Sequence, residues 1–209
     1  MKIGFMGGSF NPPHIGHLNA AKCFYEEAGL DKLIIIPAKV SPFKVERQSD
    51  VSDLQRLEMS RLCFGSLREK YGYEVEVSDL EIKNDGVSYT ILTVEKLKAL
   101  YPRDELTMYV GSDMFLSLEK WKSFEDIFRN CSIFTMCREN GEVETMEKTA
   151  EKYRSLYGAR ITLSRQKEVI VSSTEVRDKI RSKSTANCEK LLTEDVLRYI
   201  IKGRLYLEE

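Results

Sequence analysis

Two histidines three residues apart are the best candidates for phosphate chemistry in this sequence. His14 and His17 are the only histidines in the chain. A spacing of three at a helix start places both imidazoles on one side, where each can donate a hydrogen bond to a phosphate oxygen. The alternatives are a helix cap and a metal-binding pair. No nearby Cys, Asp or Glu at helical spacing would complete a metal site, so the metal alternative is set aside.

The residues before this pair favour a phosphate site over a simple cap. Gly7 and Gly8 end a predicted first strand, and a glycine turn there lets the backbone approach a ligand at the edge where open α/β sheets bind nucleotides. Pro12 and Pro13 prevent a helix from starting before about residue 14. The helix then begins with unpaired N–H groups and the positive end of its dipole, which favour an anion.

The elements that must position this loop follow from the pattern of apolar residues. Short apolar runs alternate with segments of helical period, which predicts a doubly wound parallel α/β sheet. Strands are expected at 2–6, 32–37, 74–77, 106–110, 132–136 and 160–163. Helices are expected at about 14–28, from Ser52 onward, and at 89–100, 143–157, from about Ser173, and 193–202. The absence of repeats and linkers predicts one domain over 1–209, with a helical portion at about 172–209.

The composition narrows the class of protein. The 209 residues carry a formal charge of -1, so a broadly basic surface for nucleic acid is not expected. The longest aliphatic run, Leu33 to Ile36, is too short to span a bilayer, and a cytoplasmic protein without a membrane partner is expected. The five cysteines form no C-x-x-C pair and are expected to be reduced and mostly buried. A homo-oligomer is possible.

The first loop also resembles a known signature. Gly8-Ser9-Phe10-x-Pro-x-His14-x-Gly16-His17 is similar to the motif of the H-x-G-H nucleotidyltransferases, a Rossmann-like group. The loop lacks the third glycine of the dinucleotide fingerprint and the Gly-Lys-Ser/Thr of the Walker loop. The resemblance implies catalysis by the two histidines. The ATP-binding residues that it implies here are Gly8, Ser9, Phe10, Gly16 and His17.

Two further stretches resemble bacterial nicotinate mononucleotide adenylyltransferases. Ser88-Tyr89-Thr90 is similar to the S-Y-T of that family and implies that Tyr89 and Thr90 bind the acceptor; the alternative is an N-cap by Ser88. Gly111-Ser112-Asp113, followed by the single tryptophan, Trp121, resembles its G-x-D and tryptophan. Asp113 can accept hydrogen bonds from ribose hydroxyls, and Trp121 offers a flat face to an aromatic ring. A capping aspartate and a core tryptophan are the alternatives.

A third stretch, Val171 to Arg177, looks like the late I-S-S-T-x-I-R motif at a helix start. Ser173, Thr174 and the helix amides would bind ATP phosphates there, and Arg177 would reach the same anion, with a capping box as the alternative. Arg138 resembles the arginine that this family has near the adenine of ATP. The alternative is a solvated surface arginine.

The match departs from the family at two positions. Lys44 takes the place of the lysine in the usual P-P-H-K loop, but Phe43 replaces the histidine and cannot donate to phosphate. Asn11 replaces a common aspartate and keeps a short hydrogen-bonding side chain. Lys44 is expected to serve both catalysis and acceptor binding.

The resemblance implies adenylyl transfer from ATP to nicotinate mononucleotide, with deamido-NAD and pyrophosphate as products. The acting donors would be His14, His17, Lys44 and Arg177, and Mg²⁺ would be held mainly by ATP and water. The alternatives are a preference for nicotinamide mononucleotide, phosphopantetheine adenylylation or cytidylyl transfer, and a nucleotide-binding regulator that lost the chemistry.

Overall fold

A parallel sheet of six strands forms the centre of the molecule. The computed structural model describes residues 1–39, 51–84, 86–137, 140–182 and 188–207, and the statements below concern this part of the chain. The strands are β1 Lys2–Gly8, β2 Lys32–Pro37, β3 Val75–Val77, β4 Glu105–Tyr109, β5 Ser132–Cys137 and β6 Ile161–Lys167. Their order is β3-β2-β1-β4-β5-β6, with every neighbouring pair parallel. The chain therefore starts in the middle of the sheet and fills first one side and then the other, which confirms the predicted doubly wound fold.

Helices cover both faces of the sheet. They are α1 Ile15–Glu27, α2 Asp53–Tyr71, α3 Thr90–Leu100, α4 Ser112–Phe115, α5 Phe124–Asn130, α6 Val143–Tyr157, α7 Ser173–Arg181 and α8 Glu194–Gly203. The short helices α4 and α5 were not predicted, because four and seven residues are too few for a helical period to stand out. Within the described ranges, none of the helices combines the length and apolarity that a membrane crossing requires.

The two faces have separate cores, and β2 shows why. Leu33 and Ile35 pack in the core beneath α1, α2, α7 and α8, whereas Ile34 and Ile36 pack in the core beneath α3, α4, α5 and α6. Alternate strand residues point to opposite faces, so a strand covered on both sides reads as an unbroken apolar run. The apolar pattern of α2 would place Leu54, Leu57 and Phe64 on its buried face, but Leu54 is 70% exposed and Arg56 is buried.

The register of the strands brings the functional loops to one edge. Gly8 lies beside Pro37 of β2, and Met6 of β1 lies beside Tyr109 of β4. The segments that leave the carboxyl ends of these strands therefore start at one level. The five cysteines, as expected, are buried and form no disulfide.

Candidate active site

A cavity of about 1070 Å³ opens at the carboxyl ends of the strands. Its wall is built by segments that follow β1, β2, β4 and β6, together with the first turns of α1 and α7. The sequence-predicted residues that line it are Ser9, His14, Gly16, His17, Gly111, Asp113, Trp121, Ser173, Thr174 and Arg177. Lys44, Phe43 and Arg138 lie outside the described residues.

The two histidines form a reciprocal cap at the start of α1. The backbone N–H of His17 donates to Nδ1 of His14 at 3.4 Å, and the backbone N–H of His14 donates to Nδ1 of His17 at 3.3 Å. The rings stack with centroids 3.7 Å apart. Because Nδ1 of each ring accepts, a neutral ring carries its proton on Nε2, which is then the donor atom of the ring. The helix-cap alternative is therefore correct, and the donor role toward phosphate stays a prediction.

His14 is the more buried of the two rings, with 5% of the residue exposed. Burial lowers the pKa of His14 to about 4, and the nearby charge of Glu175 only partly opposes that effect. At neutral pH His14 is thus a neutral hydrogen-bond donor and contributes no positive charge to the cavity.

The glycines of the first loop serve different purposes. A Cβ on Gly7 would have Ile36 O as its nearest atom, at 4.0 Å, and Gly7 lines the cavity. A Cβ on Gly8 would meet the Phe10 ring at 2.8 Å. Phe10 is 1% exposed and has a φ of 44°, so it turns the chain and places its ring in the core. Gly8 and Phe10, both predicted to bind ATP, are therefore not among the residues that line the cavity.

Gly16 permits a close contact between α1 and the segment after β6. A Cβ at this position would lie 2.7 Å from the carbonyl oxygen of Val169 and 3.1 Å from the His14 ring. Backbone cannot move aside as a flexible side chain does, so only glycine fits here. Gly16 thus allows the segment after β6 to pack against the start of α1 beside the His14 ring.

Hydrogen bonds connect the start of α7 to the first loop. They are made by Ser173 and Arg177, two of the residues predicted to bind the ATP phosphates. Ser173 Oγ donates to the carbonyl of Pro12 at 2.9 Å. Arg177 donates through Nη1 to the carbonyl of Asn11 at 2.7 Å and through Nη2 to Thr174 Oγ1 at 3.1 Å. These bonds bring the unpaired N–H groups of α7 and the guanidinium into the same cavity as the histidine pair.

The cap of α7 is supplied by Ser172. Its Oγ accepts from the backbone N–H of Glu175 at 3.0 Å, which is the serine half of the capping box considered as the alternative for this stretch. Because Ser172 does the capping, Ser173 and Thr174 are not needed for that purpose.

Asp113 and Trp121 lie on the part of the wall that follows β4. Gly111 precedes α4, and Asp113 Oδ1 accepts from the backbone N–H of Met114 at 2.9 Å. Trp121 is half-buried and packs against the core on the α3 side while it also lines the cavity. The core alternative and the binding role of Trp121 are therefore both compatible with its position.

Tyr89 and Thr90 do not line the main cavity. Thr90 is the first residue of α3, and Tyr89 lines a second cavity of about 470 Å³, with the Lys122 ammonium 4.5 Å from its ring centroid. The N-cap alternative for Ser88 was wrong. Tyr89 holds the cap position of α3 without a side-chain bond, and Ser88 Oγ instead accepts from the backbone N–H of Lys39 at 3.2 Å.

Arg56 is a cavity residue that the sequence did not reveal. It is 3% exposed and donates to the carbonyls of Ser9 at 2.6 Å and Ala38 at 2.5 Å, and it pairs with Asp53 at 2.6 Å. A buried guanidinium that satisfies two loop carbonyls fixes those loops relative to each other. An arginine on the buried face of a helix was the available signal.

Comparison with known proteins agrees with this architecture. Residues 5–179 match the model of the cytidylyltransferase-like family. A probable nicotinate-nucleotide adenylyltransferase of Carboxydothermus hydrogenoformans is 36% identical over 98% of each chain. A similarly named protein of Thermoanaerobacter sp. is 32% identical over 100% of this chain and 96% of its own.

Two solved structures share the fold. Nicotinic acid mononucleotide adenylyltransferase of Plasmodium falciparum, complexed with NaAD, superposes with a TM-score of 0.76 at 17% identity and covers 98% of this chain and 97% of its own. A putative nicotinate-nucleotide adenylyltransferase of Vibrio parahaemolyticus gives 0.63 at 19% identity, over 100% of this chain and 96% of its own. At such identities the likeness concerns the fold alone.

Proposed function

The chain belongs to the nicotinate-nucleotide adenylyltransferase family, and from this premise we propose that its main cavity transfers the adenylyl group of ATP to nicotinate mononucleotide. The products are deamido-NAD and pyrophosphate, in NAD biosynthesis. One observation carries the proposal at the level of the site: the histidine pair, the start of α7 with Arg177, and Asp113 with Trp121 all line one cavity.

The ATP phosphates are assigned to the space between the histidine pair and α7. The first turn of α7 offers unpaired N–H groups and the positive end of its dipole, and Arg177 adds a permanent charge beside them. The Nε2 protons of His14 and His17 supply further donors. This end of the cavity therefore suits a polyphosphate.

The acceptor is assigned to the part of the wall that holds Asp113 and Trp121. The Trp121 ring can stack on the nicotinate ring, and the Asp113 carboxylate can accept from ribose hydroxyls. Tyr89 and Thr90 are not among the residues that line the main cavity, so the acceptor binding implied for them by the resemblance stays a prediction.

The reaction is an in-line displacement at phosphorus. A phosphate oxygen of nicotinate mononucleotide forms a bond to the α-phosphorus, the bond from that phosphorus to the β-phosphate bridging oxygen breaks, and pyrophosphate leaves with the electron pair. The attacking phosphate is already ionised at neutral pH, so no general base is needed. Catalysis then depends on positioning the two phosphates and on donors that stabilise negative charge moving toward pyrophosphate.

Magnesium enters the proposed reaction as part of the substrate MgATP. Among the described residues no three His, Cys, Asp or Glu side chains form a cluster that could hold a metal ion. We assign the ion to the ATP phosphates and water, because Mg²⁺ prefers such oxygen ligands, and no step depends on a protein ligand to it.

The experiment supplies the purified protein and MgATP with nicotinate mononucleotide, nicotinamide mononucleotide or phosphopantetheine in parallel and measures pyrophosphate. We expect the largest kcat/KM with nicotinate mononucleotide. Product with phosphopantetheine alone would overturn the proposal, and a larger kcat/KM for the amide would change the acceptor. No product with any acceptor would indicate a nucleotide-binding regulator.

A further inference from the structure

The C-terminal unit, residues 188–207, contacts the first loop at two points. The backbone N–H of Ile15, the first residue of α1, donates to the carbonyl of Leu191 at 2.9 Å. The hydroxyl of Tyr206 donates to Oδ1 of Asn11 at 2.7 Å. The two contacts flank residues 12–14, so the C-terminal unit fixes the segment that leads into the histidine cap.

Tyr206 reaches Asn11 because the chain reverses its direction after α8. Arg204, the C-cap of α8, has a φ of 51°, and Tyr206 has a φ of 65°. Both values lie in the left-handed region, which residues with a Cβ rarely adopt, so the contacts around this turn must hold it. Tyr206 is 4% exposed, and its hydroxyl lies 3.9 Å from Sδ of Met59 in α2. A phenol buried in such a place needs a hydrogen-bond partner, and Asn11 supplies one.

Asn11 connects Tyr206 to the main cavity. Its side-chain oxygen accepts from Tyr206, and its backbone carbonyl accepts from Nη1 of Arg177 at 2.7 Å. Both Asn11 and Arg177 line the cavity, whereas Tyr206 is not among the residues that line it. Two hydrogen bonds of a single residue thus join the C-terminal unit to a guanidinium in the cavity wall.

The direction of the Asn11 carbonyl helps to decide where the Arg177 guanidinium lies. Nη2 of Arg177 donates to Thr174 Oγ1, so the first loop holds one side of the guanidinium and α7 holds the other. A guanidinium with two fixed acceptors keeps its plane in one orientation. Because the side chain and the carbonyl of Asn11 belong to one residue, a bond that fixes the side chain also limits movement of the carbonyl. Loss of the Tyr206 hydroxyl should therefore affect the polyphosphate end and not the acceptor wall, which follows β4.

We propose that Tyr206 is a positioning residue for ATP: its hydroxyl holds Asn11, and Asn11 holds the Arg177 guanidinium at the polyphosphate end of the cavity. The identity of the nucleotide rests on the function proposed above. Since Tyr206 acts through another residue, loss of its hydroxyl should weaken the binding of ATP and leave the binding of the acceptor nearly unchanged.

The first test compares Tyr206→Phe with Tyr199→Phe. Both changes remove one phenol oxygen and keep the ring, and Tyr199 of α8 packs against the same core as Tyr206. We expect Tyr206→Phe to raise the KM for MgATP about fivefold, the effect of roughly one lost hydrogen bond. The KM for nicotinate mononucleotide should stay within about twofold. Tyr199→Phe should leave both constants unchanged, and an unchanged KM for MgATP in Tyr206→Phe would overturn the proposal.

A double-mutant cycle tests the route through Asn11. If Tyr206 acts through this side chain, the double variant Tyr206→Phe with Asn11→Ala should raise the KM for MgATP no more than Asn11→Ala alone. Multiplying effects would overturn the route. Equal rises in both KM values together with a lower unfolding midpoint would show that the hydroxyl only stabilises the fold, and the positioning role would then be wrong.

A measurement without turnover separates this proposal from the proposed function. The bonds of Arg177 to Asn11 and Thr174 must break before the guanidinium can rotate about its Nε–Cζ bond. This rotation, followed by NMR of the guanidinium nitrogens, should be faster in Tyr206→Phe and unchanged in Tyr199→Phe. If the wild-type protein adenylylates no mononucleotide, the proposed function fails while the guanidinium still reports whether Tyr206 holds it. An unchanged rotation rate in Tyr206→Phe would overturn the positioning role.

Discussion

The imidazoles of His14 and His17 stack at the start of α1, and each ring accepts a hydrogen bond from the backbone N–H of the other residue. The pair thereby satisfies two of the unpaired N–H groups of the helix while it fixes the orientation of both rings. Since Nδ1 accepts in each ring, a neutral ring carries its proton on Nε2. The pair caps the helix, and the proposed function gives the same two rings a second purpose as donors to phosphate.

Replacing His17 by alanine should lower turnover about 100-fold or more, because a donor to the developing charge is lost. The measurement is pyrophosphate release at saturating MgATP and nicotinate mononucleotide. Loss of the cap is the competing cause, so the unfolding midpoint of the variant must be measured as well. Turnover within a few-fold of wild type would show that His17 does not stabilise the reaction.

The buried, neutral state of His14 predicts a dependence of stability on pH. The pKa of His14 is about 4 in the folded protein, against 6.5 for an unperturbed histidine. Between these values the unfolded chain binds a proton that the folded protein does not, so the free energy of unfolding falls as pH falls from 6.5 to 4. The loss assigned to His14 is on the order of 3 kcal/mol.

Urea denaturation of wild type and His14→Asn across this range checks the prediction. Asparagine retains a capping oxygen but does not titrate. The wild type should lose more stability than the variant between pH 6.5 and 4. Parallel curves for the two proteins would mean that His14 is not buried in a neutral form.

Gly16→Ala and Gly65→Ala form a matched pair of helix substitutions. The Cβ at Gly16 would meet the Val169 carbonyl at 2.7 Å, whereas a Cβ at Gly65, within α2, has no atom within 4 Å. We expect Gly16→Ala to destabilise by about 1–3 kcal/mol and to reduce activity. Gly65→Ala should stabilise by about 0.5–1 kcal/mol, since alanine favours helix. Thermal unfolding distinguishes them, and equal midpoints would contradict the close contact.

Arg177→Lys should raise the KM for ATP about tenfold or more although the charge is kept. The guanidinium spans the Asn11 carbonyl and Thr174 Oγ1 with two nitrogens, and an ammonium on a flexible stem cannot hold both in that geometry. Steady-state kinetics with varied ATP provides the measurement. Arg181→Lys, a change at another arginine of α7 that lines the cavity, is the control. Similar effects of both changes would argue against a specific role of Arg177.

The regular elements could be predicted because their signals are local. Neighbouring residues of β2 alternate between the two cores, so the strand can be predicted from its apolar run. Pro12 and Pro13 likewise predict that α1 cannot begin before them. The same holds for the cap of α2 by Ser52, which accepts from Gln55. Prediction from local spacing failed where a side chain has a distant partner. Ser88 accepts a hydrogen bond from the backbone of Lys39 and does not cap α3.

The sequence by itself determined the doubly wound fold and the family, and it predicted that the first loop binds phosphate. Only the tertiary structure decided which residues share the cavity. Arg56 reaches Ser9 across 47 positions, and Arg177 reaches Asn11 across 166. Such partners depend on the order and register of the strands, which bring remote segments to one sheet edge. The spacing of residues along the chain does not reveal the strand order, so it could not show that Tyr89, which was expected to bind the acceptor, lines a second cavity.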